Sequence, residues 1–224
     1  MVSVIQLFAR DIPGLEFPPG KDLVQLLWCP LVHDSEDPGQ LVRPRLYWRN
    51  EAETGAREML PDAPVPREGE YESDLVPRPC TVNPTRVVEY PGYDLPGDLL
   101  KTLGPRLEEL QDRFGFWYTE VASALQNKVG GYPAWTQEPS WPHCGQGHRM
   151  EHLFSITAEV AYGRWLPLNE HDPGTTQPRW QAPAAEDIVD TIGPDLMIGD
   201  MGGVYMFLCR RCPDLPYAHR FDSH

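Results

Sequence analysis

The sequence predicts a β-rich α+β fold, with two related antiparallel sheet units and one or two short helices between them. Three observations carry that prediction. Short apolar runs of strand length recur along the chain and are repeatedly stopped by proline, of which there are 25 in 224 residues; proline lacks a backbone donor and confines strands to short or edge positions. One clear helical periodicity lies near the middle. The two flanking halves echo one another: DLVQLLW is followed by RLYWR, and MEHLFSITAE is followed by VYMFLCR. Each half thus offers a long apolar strand and an aromatic partner, a pattern expected of an internal duplication. A single domain over 1–224 follows, with halves at about 1–95 and 116–224 joined by a helical segment at 97–114.

Val2–Phe8 reads as the first strand, and the turn-rich DIPGLEFPPGK follows it. Asp22–Trp28 is an apolar run of strand length ended by Pro30, and Arg45–Arg49 is the next strand. Glu51–Pro79 is rich in Pro, Glu, Asp and Gly with few large apolar residues, so an irregular, exposed excursion is expected. Arg86–Tyr90 reads as a short strand. Leu99, Leu100, Leu103, Leu107, Leu110 and Phe114 then recur at helical spacing, with Glu108, Glu109, Asp112 and Arg113 outside the stripe. Pro105 within it predicts a kink, or a second helix starting there. Trp117–Gln126 offers a further short helix, Gly130-Gly131 a turn, Met150–Val160 and Val204–Cys209 two strands, and Tyr217–Phe221 a last one.

Charge narrows the function classes. The net charge is −14, which argues against a nucleic-acid binder or a ligand of anionic membranes, since both need Lys and Arg to meet phosphate. It favours either plain solubility or a basic protein partner. No apolar run approaches the ~20 residues of a membrane span, and MVSVIQLFARDIPG lacks the basic start and apolar core of a signal peptide. A cytoplasmic protein is expected, whose five cysteines stay reduced or bind metal.

The cysteines carry the strongest chemical signal. Cys209-Arg-Arg-Cys212-Pro has the Cys-x-x-Cys form in which one tight turn presents two thiolates to zinc. Cys144-Gly145 has the form of the second half of such a turn, but Trp141 stands where the first cysteine would be. His148, at Cys-x3-His spacing, and His143 are the two replacements on offer. The candidate ligands are therefore Cys144, Cys209, Cys212 and either His148 or His143. A redox role for Cys209 and Cys212 is disfavoured, because the pair follows a strand instead of capping a helix N-terminus. Cys29 and Cys80 read as buried structural thiols. Asn169-Glu-His-Asp172 reads as a solvated loop, without an accompanying nucleophile or oxyanion hole. No phosphate-binding loop is present, since the Gly-Gly pairs do not open helices. No catalytic residue and no organic cofactor is assigned.

FPPGKDLVQLLWCP, CTVNPTRVVEYPG, LQNKVGGYPAWTQ and GDMGGVYMFLCRRC together resemble the YwqG-like family of uncharacterised bacterial proteins. The box Lys128-Val-Gly-Gly-Tyr-Pro-Ala-Trp135 is similar to one in the programmed-cell-death-protein-2 group. The resemblance implies a duplicated β-rich fold, and a C-P-x-C-G turn where this chain has Trp141-Pro-His-Cys-Gly145. It also implies, by analogy with the chaperone role of eukaryotic relatives, a protein partner that is basic. The expected function is a non-enzymatic protein-binding or chaperone-like module with a structural zinc site. The alternative is a zinc- or thiol-dependent hydrolase or transferase.

Overall fold

A computed structural model describes residues 1–31, 42–55, 67, 69–158, 194–200 and 202–223. Two antiparallel sheets dominate it. The first has the order β1-β2-β3 from Val2–Phe8, Leu23–Cys29 and Arg43–Arg49; the second has the order β4-β5-β6-β7 from Lys128–Val129, Glu151–Thr157, Gly203–Leu208 and Tyr217–Asp222. Among the described residues three α-helices accompany them: α1 at Glu51–Gly55, α2 at Gly97–Phe114 and α3 at Tyr118–Ala122. The β-rich α+β class and its two antiparallel sheets are therefore as the sequence predicts. In each half the long apolar strand lies antiparallel beside its aromatic partner, β2 with β3 and β5 with β6.

The strands bury what their alternation dictates. Val24, Leu26 and Trp28 on β2 point inward, and across from them Leu46 on β3 does the same. Pro44 is accommodated in β3, which among the described residues has only β2 as a neighbour. The second sheet is covered on both faces, so β6 reads as a continuous apolar run. Val204, Met206 and Leu208 join β2 and β5 residues in a core shared by the two sheets, while Tyr205 and Phe207 face a second, smaller cluster.

Several expectations need correction. Arg86–Tyr90 is not a strand; most of it is exposed, but Glu89 turns inward. Its β-branched residues have no strand to pair with among the described residues. The Pro- and Glu-rich segment is less irregular than its composition predicts, where it is described. It includes α1 and a 3-10 turn at Ser73–Leu75, and Leu75 is buried with its carbonyl accepting a 2.7 Å bond from Trp28 Nε1. Residues 56–66 and 68 of that segment lie outside the described residues. Pro105 lies inside a single helix, so it does not break α2 in two. Cys80 is exposed and Cys29 half-buried, so neither is the buried thiol expected. β4 was not foreseen. Asn169–Asp172 lies outside the described residues.

Candidate metal centre

The topology explains how residues far apart in sequence meet. β5 runs antiparallel to β6, with Glu151 opposite Leu208 and His152 opposite Phe207. The turn just before β5 and the turn just after β6 therefore project from the same end of the sheet. The first is a tight hairpin in which His143 and Arg149 form an isolated bridge. Cys144 N–H donates to the His148 carbonyl at 2.9 Å, and Gly147 N–H donates to the Cys144 carbonyl at 2.8 Å. Gly147 has φ +77°, a conformation that favours glycine. The second turn joins β6 to β7, with Cys209 N–H bonded to the Pro216 carbonyl at 2.9 Å and Leu215 N–H to the Cys212 carbonyl at 3.0 Å.

These two turns bring Cys144, His148, Cys209 and Cys212 together, with one donor atom from each lying within 4.8 Å of all the others. Cys144 Sγ is 3.8 Å from Cys212 Sγ, and His148 Nδ1 is 3.7 Å from Cys209 Sγ and 3.5 Å from Cys212 Sγ. A tetrahedral site with metal–sulfur bonds of about 2.3 Å and metal–nitrogen bonds of about 2.0 Å has edges of about 3.8 Å between sulfurs and about 3.5 Å between sulfur and nitrogen. Those three separations match such edges, and the four side chains could hold a metal ion. His148 occupies the place left open by Trp141. His143 does not join the group; it is exposed, and the alternation of the hairpin turns it away.

The environment suits thiolate ligands. All three cysteines are buried and His148 is half-buried. Burial works against ionising Cys144, but the backbone N–H groups of Gln146 and His148 and the neighbouring thiols of Cys209 and Cys212 outweigh it and lower its pKa. Burial, followed by the thiols of Cys209 and Cys144, pushes Cys212 up to about 12. Without a cation the cluster thus resists holding several negative charges, which is the electrostatic condition that a divalent metal relieves.

Beneath the cluster lies an aromatic bed. Trp135 meets Tyr205 edge-on at 5.1 Å and stacks on Phe207 at 6.0 Å, and Trp141 meets Phe207 at 5.4 Å. Trp141 Nε1 donates to Asp94 Oδ2 at 3.1 Å, while Arg149 lies over the Trp141 ring at 3.9 Å. The residue that replaced the expected cysteine is therefore a packing residue beside the site.

The box around Lys128 serves a second buried centre. Glu89, with 5% of its side chain exposed, accepts from Lys128 Nζ at 3.0 and 3.1 Å, from Ala124 N–H at 2.7 Å and from Tyr132 N–H at 3.1 Å. Burial lowers the Lys128 pKa, and the Glu89 carboxylate opposes that shift. Sequence reasoning found the box but not its partner, because nothing local marks an acid so far upstream. Every acceptor position used on Glu89 faces a donor, which describes a structural anchor.

The fold and the site together define a β-rich α+β protein carrying a Cys3His cluster able to hold a metal ion. No protein-family model, curated protein or solved structure matches the chain. Among the described residues, no helix is long and apolar enough to cross a membrane.

Proposed function

We propose that this chain is a cytosolic, non-enzymatic protein-binding or chaperone-like module of the YwqG-like kind, in which a structural zinc ion staples the turns before β5 and after β6. The observation that carries the zinc reading is the close cluster of three thiols and one imidazole, three of whose edges have the lengths expected around zinc. Soft thiolates with imidazole favour zinc over hard cations. Four protein donors complete a structural site, whereas a catalytic zinc keeps one position for water or substrate. A zinc-dependent hydrolase or transferase would need an open coordination position, and His148 is placed to fill the fourth.

Metal analysis of the purified chain is the direct test. About one zinc per chain is expected, lost in Cys144→Ser and Cys209→Ser, with Tm falling by roughly 5–15 °C as some 3–5 kcal/mol of stability is lost. A metal-free wild type, as stable as the variants, overturns the zinc reading.

The protein-binding reading is supported by the net charge of −14 and by apolar groups left in solvent around α2, namely Leu99, Leu100, Leu103, Phe114 and Trp117. A basic protein segment is the partner this charge favours. Affinity capture at low salt should recover a specific protein with the wild type and lose it with Leu100→Glu/Leu103→Glu. Recovery of none, or equal recovery by both, overturns this reading.

A further inference from the structure

Resting on the metal-binding reading, we propose that Cys144 and Cys212 form an oxidation site, at which a hydroperoxide joins the two sulfurs in a disulfide and empties the metal centre. Four observations single out this pair. Their Sγ atoms are 3.8 Å apart across two different turns, so a bond of about 2.05 Å needs a modest closure. Cys144 and Cys212 are buried less completely than Cys209, at 7% and 6% residue exposure against 1%. The residues beside them in the two turns, Gly145, Gln146, Gly147 and Arg211, are all exposed, so the pair lies close beneath the surface. The turn bearing Cys144 also has glycines on which to move, and Gly147 is already in the left-handed region.

The chemistry balances. The Cys144 thiolate attacks one peroxide oxygen, the O–O bond breaks, and the sulfur becomes a sulfenic acid as hydroxide (or an alkoxide) leaves. The Cys212 thiol then attacks the Cys144 sulfur, forming the S–S bond as its proton and the sulfenic hydroxyl leave together as water. Two electrons pass from the two sulfurs to the peroxide. Two of the four donors are thereby consumed, and Cys209 with His148 is too small a set to retain the ion. A dithiol reductant reverses the reaction by exchange and restores the site. Cys209 is the less suitable partner for Cys212, being the more buried residue, with its backbone N–H bonded to the Pro216 carbonyl.

The test uses the full-length, metal-loaded chain carrying Cys29→Ser and Cys80→Ser, neither position being in the cluster. Metal content is first measured under reducing conditions. Hydrogen peroxide is then added, with released zinc followed by a chromogenic chelator and disulfides mapped by mass spectrometry of non-reduced peptides. The expected result is release of the bound zinc in step with loss of two thiols, a dominant Cys144–Cys212 linkage, and recovery on adding reductant with zinc. Where the double variant folds poorly, the same peptide map on the wild type resolves all five cysteines. A chain that starts without metal overturns the metal reading and the release with it. A zinc-loaded chain that keeps its metal while free thiols in the same tube are oxidised overturns only the oxidation site. So does a dominant Cys209–Cys212 linkage.

Discussion

His152 is nearly enclosed, with its ring between Gly130 and Ser155. In the neutral form that burial favours, Nδ1–H donates to the Gly130 carbonyl at 2.9 Å and Nε2 accepts from the Ser155 hydroxyl at 3.0 Å. Burial and then the Lys128 charge lower its pKa to about 4. In the unfolded chain the ordinary histidine value of about 6.5 applies. Between those values the unfolded chain binds more protons, so stability should fall as pH drops from about 6.5 to about 4, by roughly 3 kcal/mol in total. Denaturant midpoints across that range, measured with chelator present so that metal loss does not contribute, should flatten in His152→Gln relative to the wild type. A second residue-scale contrast lies next door. Gly130 and Gly131 both have φ +70°, but a Cβ on Gly131 would sit 2.2 Å from Glu89 Oε2 while one on Gly130 meets nothing within 4 Å. Gly130→Ala should therefore cost about 1 kcal/mol for backbone strain alone. Gly131→Ala should cost about 2–4 kcal/mol, because Glu89 must leave donors that burial makes hard to replace. Equal costs in chemical denaturation would show that Glu89 yields freely. The glycine pair was legible in the sequence as a turn; the carboxylate it accommodates was not, because that contact is made only by tertiary structure.

Among the elements, those with a strong local pattern were readable and those defined by a partner were not. β1, β2, β3, β5, β6 and β7 lie where apolar runs and turn residues place them. β4 is only Lys128–Val129, too short for any periodicity, and exists because Ser155 and Phe154 stand opposite it. Arg86–Tyr90 shows the reverse: it has strand composition but no strand to pair with among the described residues. The Cys209–Cys212 turn was readable because both ligands lie within one loop. The choice of His148 over His143 needed the hairpin, whose alternation turns only one of them inward. In α2 the apolar stripe is real, yet no residue of the helix is buried. Changes there should act locally. Pro105→Ala restores a missing backbone donor and removes a clash with the preceding turn, so it should raise hydrogen-exchange protection across 105–114 while leaving the global denaturation midpoint nearly unchanged. A large rise in the midpoint would show that α2 shares in the cooperative core.

At the scale of the molecule, two sheets meet in one core, and the aromatic cluster under the metal centre covers the opposite face of the second sheet. The fold class followed from patterning because hydrophobic burial is read from composition and period. Which sheet ends meet was not readable, since it depends on the pairing of β5 with β6 across a long intervening stretch. That pairing is slow to find in a free chain, because the entropy of closing the connection must be lost before any contact repays it. A cation bridging Cys144 and His148 to Cys209 and Cys212 would sit at the end of the sheet remote from that connection. Once the ion is bound, Glu151 and Leu208 are neighbours along a cross-linked path, and the strands need only zip onward from there. The metal centre should therefore act on the rate as well as the equilibrium: refolding with stoichiometric zinc should be about tenfold or more faster than refolding with chelator, and unfolding rates should change less. A zinc effect confined to the unfolding limb would place the cross-link after the folding barrier, as a latch closed on a sheet already formed.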